Sequence, residues 1–332
     1  MRDSENVFNY RIDKKHIQRE EVDEIRRLYE KKSMILGIEQ EEFEKLLNDL
    51  DTDDITHSND MVTEMIISSV KEHTNDGKLK KILENINIAV ISDKSLIGTA
   101  YPKYIDHSYY IEFGNNIYEK TMLLSDIFSV LFMYYEHSDS TEIKLLDLLL
   151  EANIQRFNSN VQSNDLFNIV QMRMLLFDKL KGNSDFTDHY VSYSREIYEM
   201  AIATLIGHEV GHHYFGHTDE NIEDDPDPKN REFKSDCYGV DFAINYLQCN
   251  YKNSNNIYGI HQFAGIYIPL IVSSSFCNDI FNDGEKHPSI VKRIYNVQKE
   301  LKMKLDQNTY QEMTNYIRKL AKKIQFPINI FR

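Results

Sequence analysis

Apolar residues recur at helical spacing along most of this chain and at strand spacing in one short region. Residues 20–32 and 40–50 predict amphipathic helices, with Val22, Ile25 and Leu28 and then Phe43, Leu46 and Leu47 as their apolar faces. An acidic linker over 51–60 separates them from a helix over 60–73 that carries Met61, Met65, Ile66 and Val70. After a short helix at 79–84 the character changes. Residues 86–91 and 109–113 are rich in branched and aromatic side chains and predict strands, with 101–106 a loop or a third strand. Long apolar helices follow at 117–137, 142–157 and 166–180, then a break over 181–188. A further helix starts near His189 or Tyr193. Beyond it come an exposed acidic loop at 219–230, a polar turn at 249–257, a buried segment at 265–276 and one charged amphipathic helix over 298–325. The pattern divides into an N-terminal helical region, 1–78, and a second domain, 79–332.

Composition narrows the class. A hydrophobic share of 41% over 332 residues supports a folded core. A formal charge of −15 argues against nucleic acid or an anionic membrane as the partner and suits a cytoplasmic protein. Cys237, Cys249 and Cys277 form no C-x-x-C pair and no disulfide framework. The first residues hold no apolar leader, and the longest apolar runs are too short to span a bilayer. No internal repeat, Gly-rich phosphate loop or G-x-S-x-G element is present.

The chemistry concentrates in His208-Glu209-Val210-Gly211-His212. At roughly 100° per residue, His208 and His212 lie one turn apart on one helical face. That spacing lets two imidazoles grip one Zn²⁺ while Glu209 reaches a water beside it. Ile197, Ala201, Thr204 and Leu205 fall within roughly 60° of His208 on the same wheel, so the pair sits on the inward stripe. Buried imidazoles and a carboxylate need a partner, and a metal is the simplest one.

A catalytic zinc usually takes three protein ligands. His213 turns roughly 100° off the metal face and His217 roughly 140° from His212, so both read as surface or supporting residues. Thr218 and Phe215 stand where a metzincin would have its third histidine and its glycine, which excludes that class. Glu232 is the better ligand. It shares one helical face with Asp236, Gly239 and Ala243, acidic at its start and small afterwards. Small residues let that helix press against the His208–His212 helix near Gly211, and Asp236 can then accept the free N–H of a ligand histidine. Further on, His287-Pro288-Ser289 precedes Arg293, with Pro288 near the first turn of a helix.

These three blocks, H-E-x-G-H-x-x-x-x-H, E-x-x-x-D-x-x-G and H-P-S-x-x-x-R-I, resemble the gluzincin metallopeptidases of the HtpX-like and CAAX-prenyl-endopeptidase kind and the smaller Lit-type phage-exclusion peptidases. The resemblance spans roughly residues 190–300. It implies an α+β, predominantly α-helical protein whose zincin-like core sets a small sheet beside the H-E-x-x-H helix. It implies one Zn²⁺ on His208, His212 and Glu232, with His287 and Arg293 approaching to steady an oxyanion or support the ligands. In such enzymes an edge strand holds extended substrate by main-chain hydrogen bonds, and residues 109–113 are the candidate. The expectation is a zinc endopeptidase with Glu209 as general base, acting on a protein or peptide substrate. The alternative is a zinc-bound regulatory or partner-binding protein of toxin or phage-defence type, with little or no turnover.

Overall fold

The computed structural model describes residues 52–91, 98–101, 109–136, 150, 184–219, 227–250, 259–277, 279–324, 326 and 331. The helices expected at 20–32, 40–50, 142–157 and 166–180 fall outside these residues, apart from Leu150. The described part is mostly helical with one small sheet, an α+β arrangement dominated by α.

Helix α1 (Thr52–His73) and helix α2 (Gly77–Glu84) precede strand β1 (Ile86–Ile91), strand β2 (Gly98–Tyr101) and strand β3 (Tyr109–Gly114). The stretch expected as an acidic linker over 51–60 is therefore helical from Thr52 onward. Ile66 and Val70 of α1 sink into the core beside Leu79, Ile82 and Leu83 of α2. Asp76 caps α2 by accepting from the N–H groups of Lys78 and Leu79.

The sheet order is β1-β3-β2, with β1 parallel and β2 antiparallel to β3. This corrects the expectation for 109–113: that strand is central, and its residues are buried throughout. A strand paired on both sides offers no free main-chain edge. Within the sheet, the outer strand that contacts the H-E-x-x-H helix is β2.

Helix α3 (Asn115–Glu136) runs from β3 into the core through Ile117, Leu124, Ile127 and Phe128. Helix α4 (Ser184–Tyr214) begins inside the break expected at 181–188 and is the longest described element, at 31 residues. Ile197, Ala201 and Leu205 are buried on it, as the wheel requires. Helix α5 (Pro228–Asn250) lies along α4. Pro228 opens it, and Asp227 accepts the Lys229 N–H ahead of the first turn. Helices α6 (Ile260–Gly265) and α7 (Ile268–Ser274) form the buried segment. The single closing helix resolves into α8 (Ile290–Lys304) and α9 (Gln307–Lys323). Asp306 separates them by capping α9 at Asn308 and Thr309. Pro288 stands just ahead of α8, and Ser289 is its cap.

The α4–α5 contact is glycine-mediated. A Cβ on Gly239 would lie 2.8 Å from the Thr204 carbonyl oxygen and 3.2 Å from the His208 nitrogen. One on Gly207 would lie 2.5 Å from the Phe242 Cβ. The approach expected at Gly211 is also present, where an added Cβ would meet Tyr238 and Ser235. The two helices thus pack nearly backbone to backbone, which brings short side chains of α5 within reach of rings on α4. Among the described residues no helix is long and apolar enough to cross a membrane.

Candidate metal centre

His208, His212 and Glu232 each direct one ligand atom into a common volume, all within 4.8 Å of one another. The two Nε2 atoms are 3.2 Å apart. Glu232 Oε2 lies 3.6 Å from the first and Oε1 3.5 Å from the second. Two imidazole lone pairs and a carboxylate converging this closely repel unless positive charge stands between them. The donor set, two nitrogens and a carboxylate oxygen, suits a divalent cation of the zinc type. Among the described residues it is the one such grouping of three or more His, Cys, Asp or Glu side chains.

The other ring nitrogens face outward to supports. His208 Nδ1 is 3.0 Å from Asp236 Oδ1, one helical turn beyond Glu232. Arg293, from the first turns of α8, grips the same carboxylate, Nη2 to Oδ1 at 2.6 Å and Nε to Oδ2 at 2.9 Å. Its Nη1 lies 3.4 Å from Glu232 Oε2. Arg293 Nη2 is also 3.4 Å from His208 Nδ1, but both nitrogens are donors converging on Asp236 Oδ1 at shorter range. His287 Nδ1 approaches Glu232 Oε1 at 3.3 Å from the rim, where the His287 side chain is 67% exposed. A tight turn holds it there, Gly284 N–H donating to the His287 carbonyl. Asp283 fastens this rim by accepting from the Ser289 N–H and from Lys229 and Lys292.

Charge follows geometry. Burial would raise the Glu232 carboxyl, but His287, Arg293, His208 and His212 outweigh it and hold Glu232 well below the carboxylate range. Burial would lower His208, but its hydrogen bond to Asp236 wins and leaves it raised. Burial, reinforced by the neighbouring His208, drives His212 down and keeps it neutral, the form in which imidazole ligates a metal. Burial pushes the Glu209 carboxyl up from 4.5 to about 7. Glu209 also accepts a hydrogen bond from the Ala100 N–H of β2. A Cβ on Gly98 would stand 2.7 Å from its Oε1, so β2 and Glu209 are in direct contact.

The two histidines set aside by the wheel are both buried. His213 bonds Thr218 Oγ1 at 3.0 Å and the Tyr110 carbonyl of β3 at 3.1 Å, tying the end of α4 to the sheet. His217 Nδ1 lies 3.2 Å from His212 Nδ1. Of the two readings offered for His217, surface or supporting, the contact with His212 fits the supporting one; the wheel angle did not show it, because α4 ends at Tyr214 and the chain reverses at Gly216, whose φ is +74°. The signal was Gly216 itself, a helix-stop residue in the left-handed conformation.

The cluster floors a cleft of about 800 Å³. Its lining also includes Gly98 and Ala100 of β2, apolar Ile266, Leu270, Ile290 and Val297, and Asp283 and His287.

With that geometry in place, comparison with known proteins adds one similarity. Residues 177–314 match the Peptidase U49 family, a Lit-type peptidase family. The matched stretch begins ahead of α4, ends within α9 and holds every residue of the cluster, and the match supports a peptidase. No curated protein and no solved structure matches the chain.

Proposed function

We propose that this chain is a zinc-dependent endopeptidase with a zincin-like core. The observation that carries the reading is the convergence of His208 Nε2, His212 Nε2 and the Glu232 carboxylate beside a buried Glu209. These three residues would hold the ion, which when bound acidifies water and polarises the scissile carbonyl. Glu209 takes a proton from water in the cleft and passes it to the leaving amine. A buried carboxyl raised to about 7 suits both steps, because a base poised near the working pH can also act as an acid.

Substrate lies along β2. Gly98 and Ala100 line the cleft, and an extended peptide adding to this outer strand runs past Glu209. Arg293, engaged with Asp236 and Glu232, acts by holding the ligands in register. His287, exposed and adjacent to Glu232, is the residue able to donate to a developing oxyanion.

The test is paired: zinc content of the purified protein, and peptide cleavage by wild type against Glu209→Gln. The reading expects bound zinc in both and cleavage in wild type alone. Equal cleavage by the two proteins would sink the mechanism. Zinc with no cleavage of broad peptide libraries would favour a regulatory, partner-binding protein instead.

A further inference from the structure

The end of α4 folds back on itself in an offset of five residues. His217 returns to His212 and Thr218 returns to His213. The backbone makes this return: the His217 N–H donates to the His212 carbonyl at 2.8 Å, and the Gly216 N–H to the His213 carbonyl at 3.2 Å. These are the two hydrogen bonds of a Schellman motif, with Gly216 at its left-handed position. A side chain at 216 would be strained, and its Cβ would stand 2.9 Å from Asp219 Oδ2. His217 is thereby tethered to one residue twice, by main chain and by ring. The two rings meet edge on, centroids 5.2 Å apart and planes 66° apart. His217 is 8% exposed and lines the cleft.

We infer that His217 is a positioning residue for His212, accepting the His212 Nδ1–H so that the tautomer and tilt of that ring keep its Nε2 lone pair on the metal. The inference rests on the proposed zinc site. With Nε2 ligating, the proton of neutral His212 resides on Nδ1. Two ring nitrogens 3.2 Å apart share one proton, so His217 Nδ1 is the acceptor and the His217 proton resides on Nε2. His208 receives the same service from the Asp236 carboxylate. The site therefore orients one ligand with an anion and the other with a neutral ring.

Two measurements test this. Long-range ¹H–¹⁵N correlation on the zinc-loaded full chain, labelled at histidine, should show the proton of His212 on Nδ1 and that of His217 on Nε2. A proton on His217 Nδ1 overturns the assignment, and this arm needs no variant to fold. Zinc affinity, read by competition with a chromophoric chelator, should fall about 10–100-fold in His217→Ala. His217→Gln, whose side-chain carbonyl can accept the same N–H, should recover most of the loss. Unchanged affinity in His217→Ala, or no recovery in His217→Gln, overturns the inference. Zinc binding without peptide cleavage in wild type would refute the peptidase reading and leave this one standing. Wild-type cleavage with unchanged zinc affinity in His217→Ala would do the reverse.

Discussion

The two histidines of the motif sit one turn apart on the same helix, yet they are held by opposite means. His208 is supported from across the fold. Asp236 reaches it from α5, and Arg293 fixes Asp236 from α8. This clamp is charged, largely buried and built from three helices that must all be docked. His212 is met from five residues away, by the His217 ring on a turn that closes on its own backbone. Damage should therefore spread differently. Breaking the clamp threatens the fold along with the site, whereas breaking the turn alters one ligand and little else.

The largest effect should come from the residue both sides share. Glu232→Gln removes the anion that faces both Nε2 atoms. Zinc content should drop to background and cleavage with it, as read by metal analysis and peptide assay. Glu209→Gln leaves both supports untouched. It should keep zinc while lowering kcat about 10²–10⁴-fold, the range for loss of a general base. Next, Asp236→Asn strips the clamp and leaves the largely buried Arg293 guanidinium short of a partner. A loss of about 3–5 kcal/mol in denaturant unfolding is expected, together with weaker zinc binding. His217→Ala is the contrast, with weaker zinc binding at nearly wild-type stability. Comparable unfolding losses in these two variants would erase the distinction between clamp and turn.

Gly239→Ala probes the clamp from its packing side. Its new methyl would meet the Thr204 carbonyl and the His208 backbone. An overpacking cost of about 1–3 kcal/mol is expected, read as a shift of the thermal midpoint. The smallest effect lies away from the site, at Glu196. Burial would raise this carboxyl, but His261, Ser192 and Gln262 hydrogen-bond it and hold it below its usual 4.5. Its folded pKa lies below the unfolded one, so the stability it contributes is complete above pH 4.5 and declines as pH falls through the folded value. Glu196→Gln should flatten that acid limb of the melting profile without changing zinc affinity.

What was legible in the sequence was local. The spacing of His208, Glu209 and His212 specifies a helical face, and that of Glu232, Asp236 and Gly239 specifies its complement. Both faces are present, pressed together at Gly207, Gly211 and Gly239. Strand β1 runs over the residues its branched side chains announce, 86–91. What was not legible depends on partners remote in sequence or on where an element stops. Strand order is set by pairing, so nothing within 109–113 could reveal that β3 is central and β2 lies outside it. The wheel angle of His217 lost meaning once the helix ended at Tyr214, a stop that Gly216 announces only when it is read as a cap. The split between α8 and α9 turns likewise on Asp306, which reads as one more charge in an amphipathic stripe until its side chain caps the next helix.

The most direct measurement is anomalous diffraction at the zinc edge from crystals of the zinc-loaded protein. One peak is expected, enclosed by His208 Nε2, His212 Nε2 and the Glu232 carboxylate. A zinc peak elsewhere, with none between these three side chains, would contradict the metal centre and the mechanism built on it.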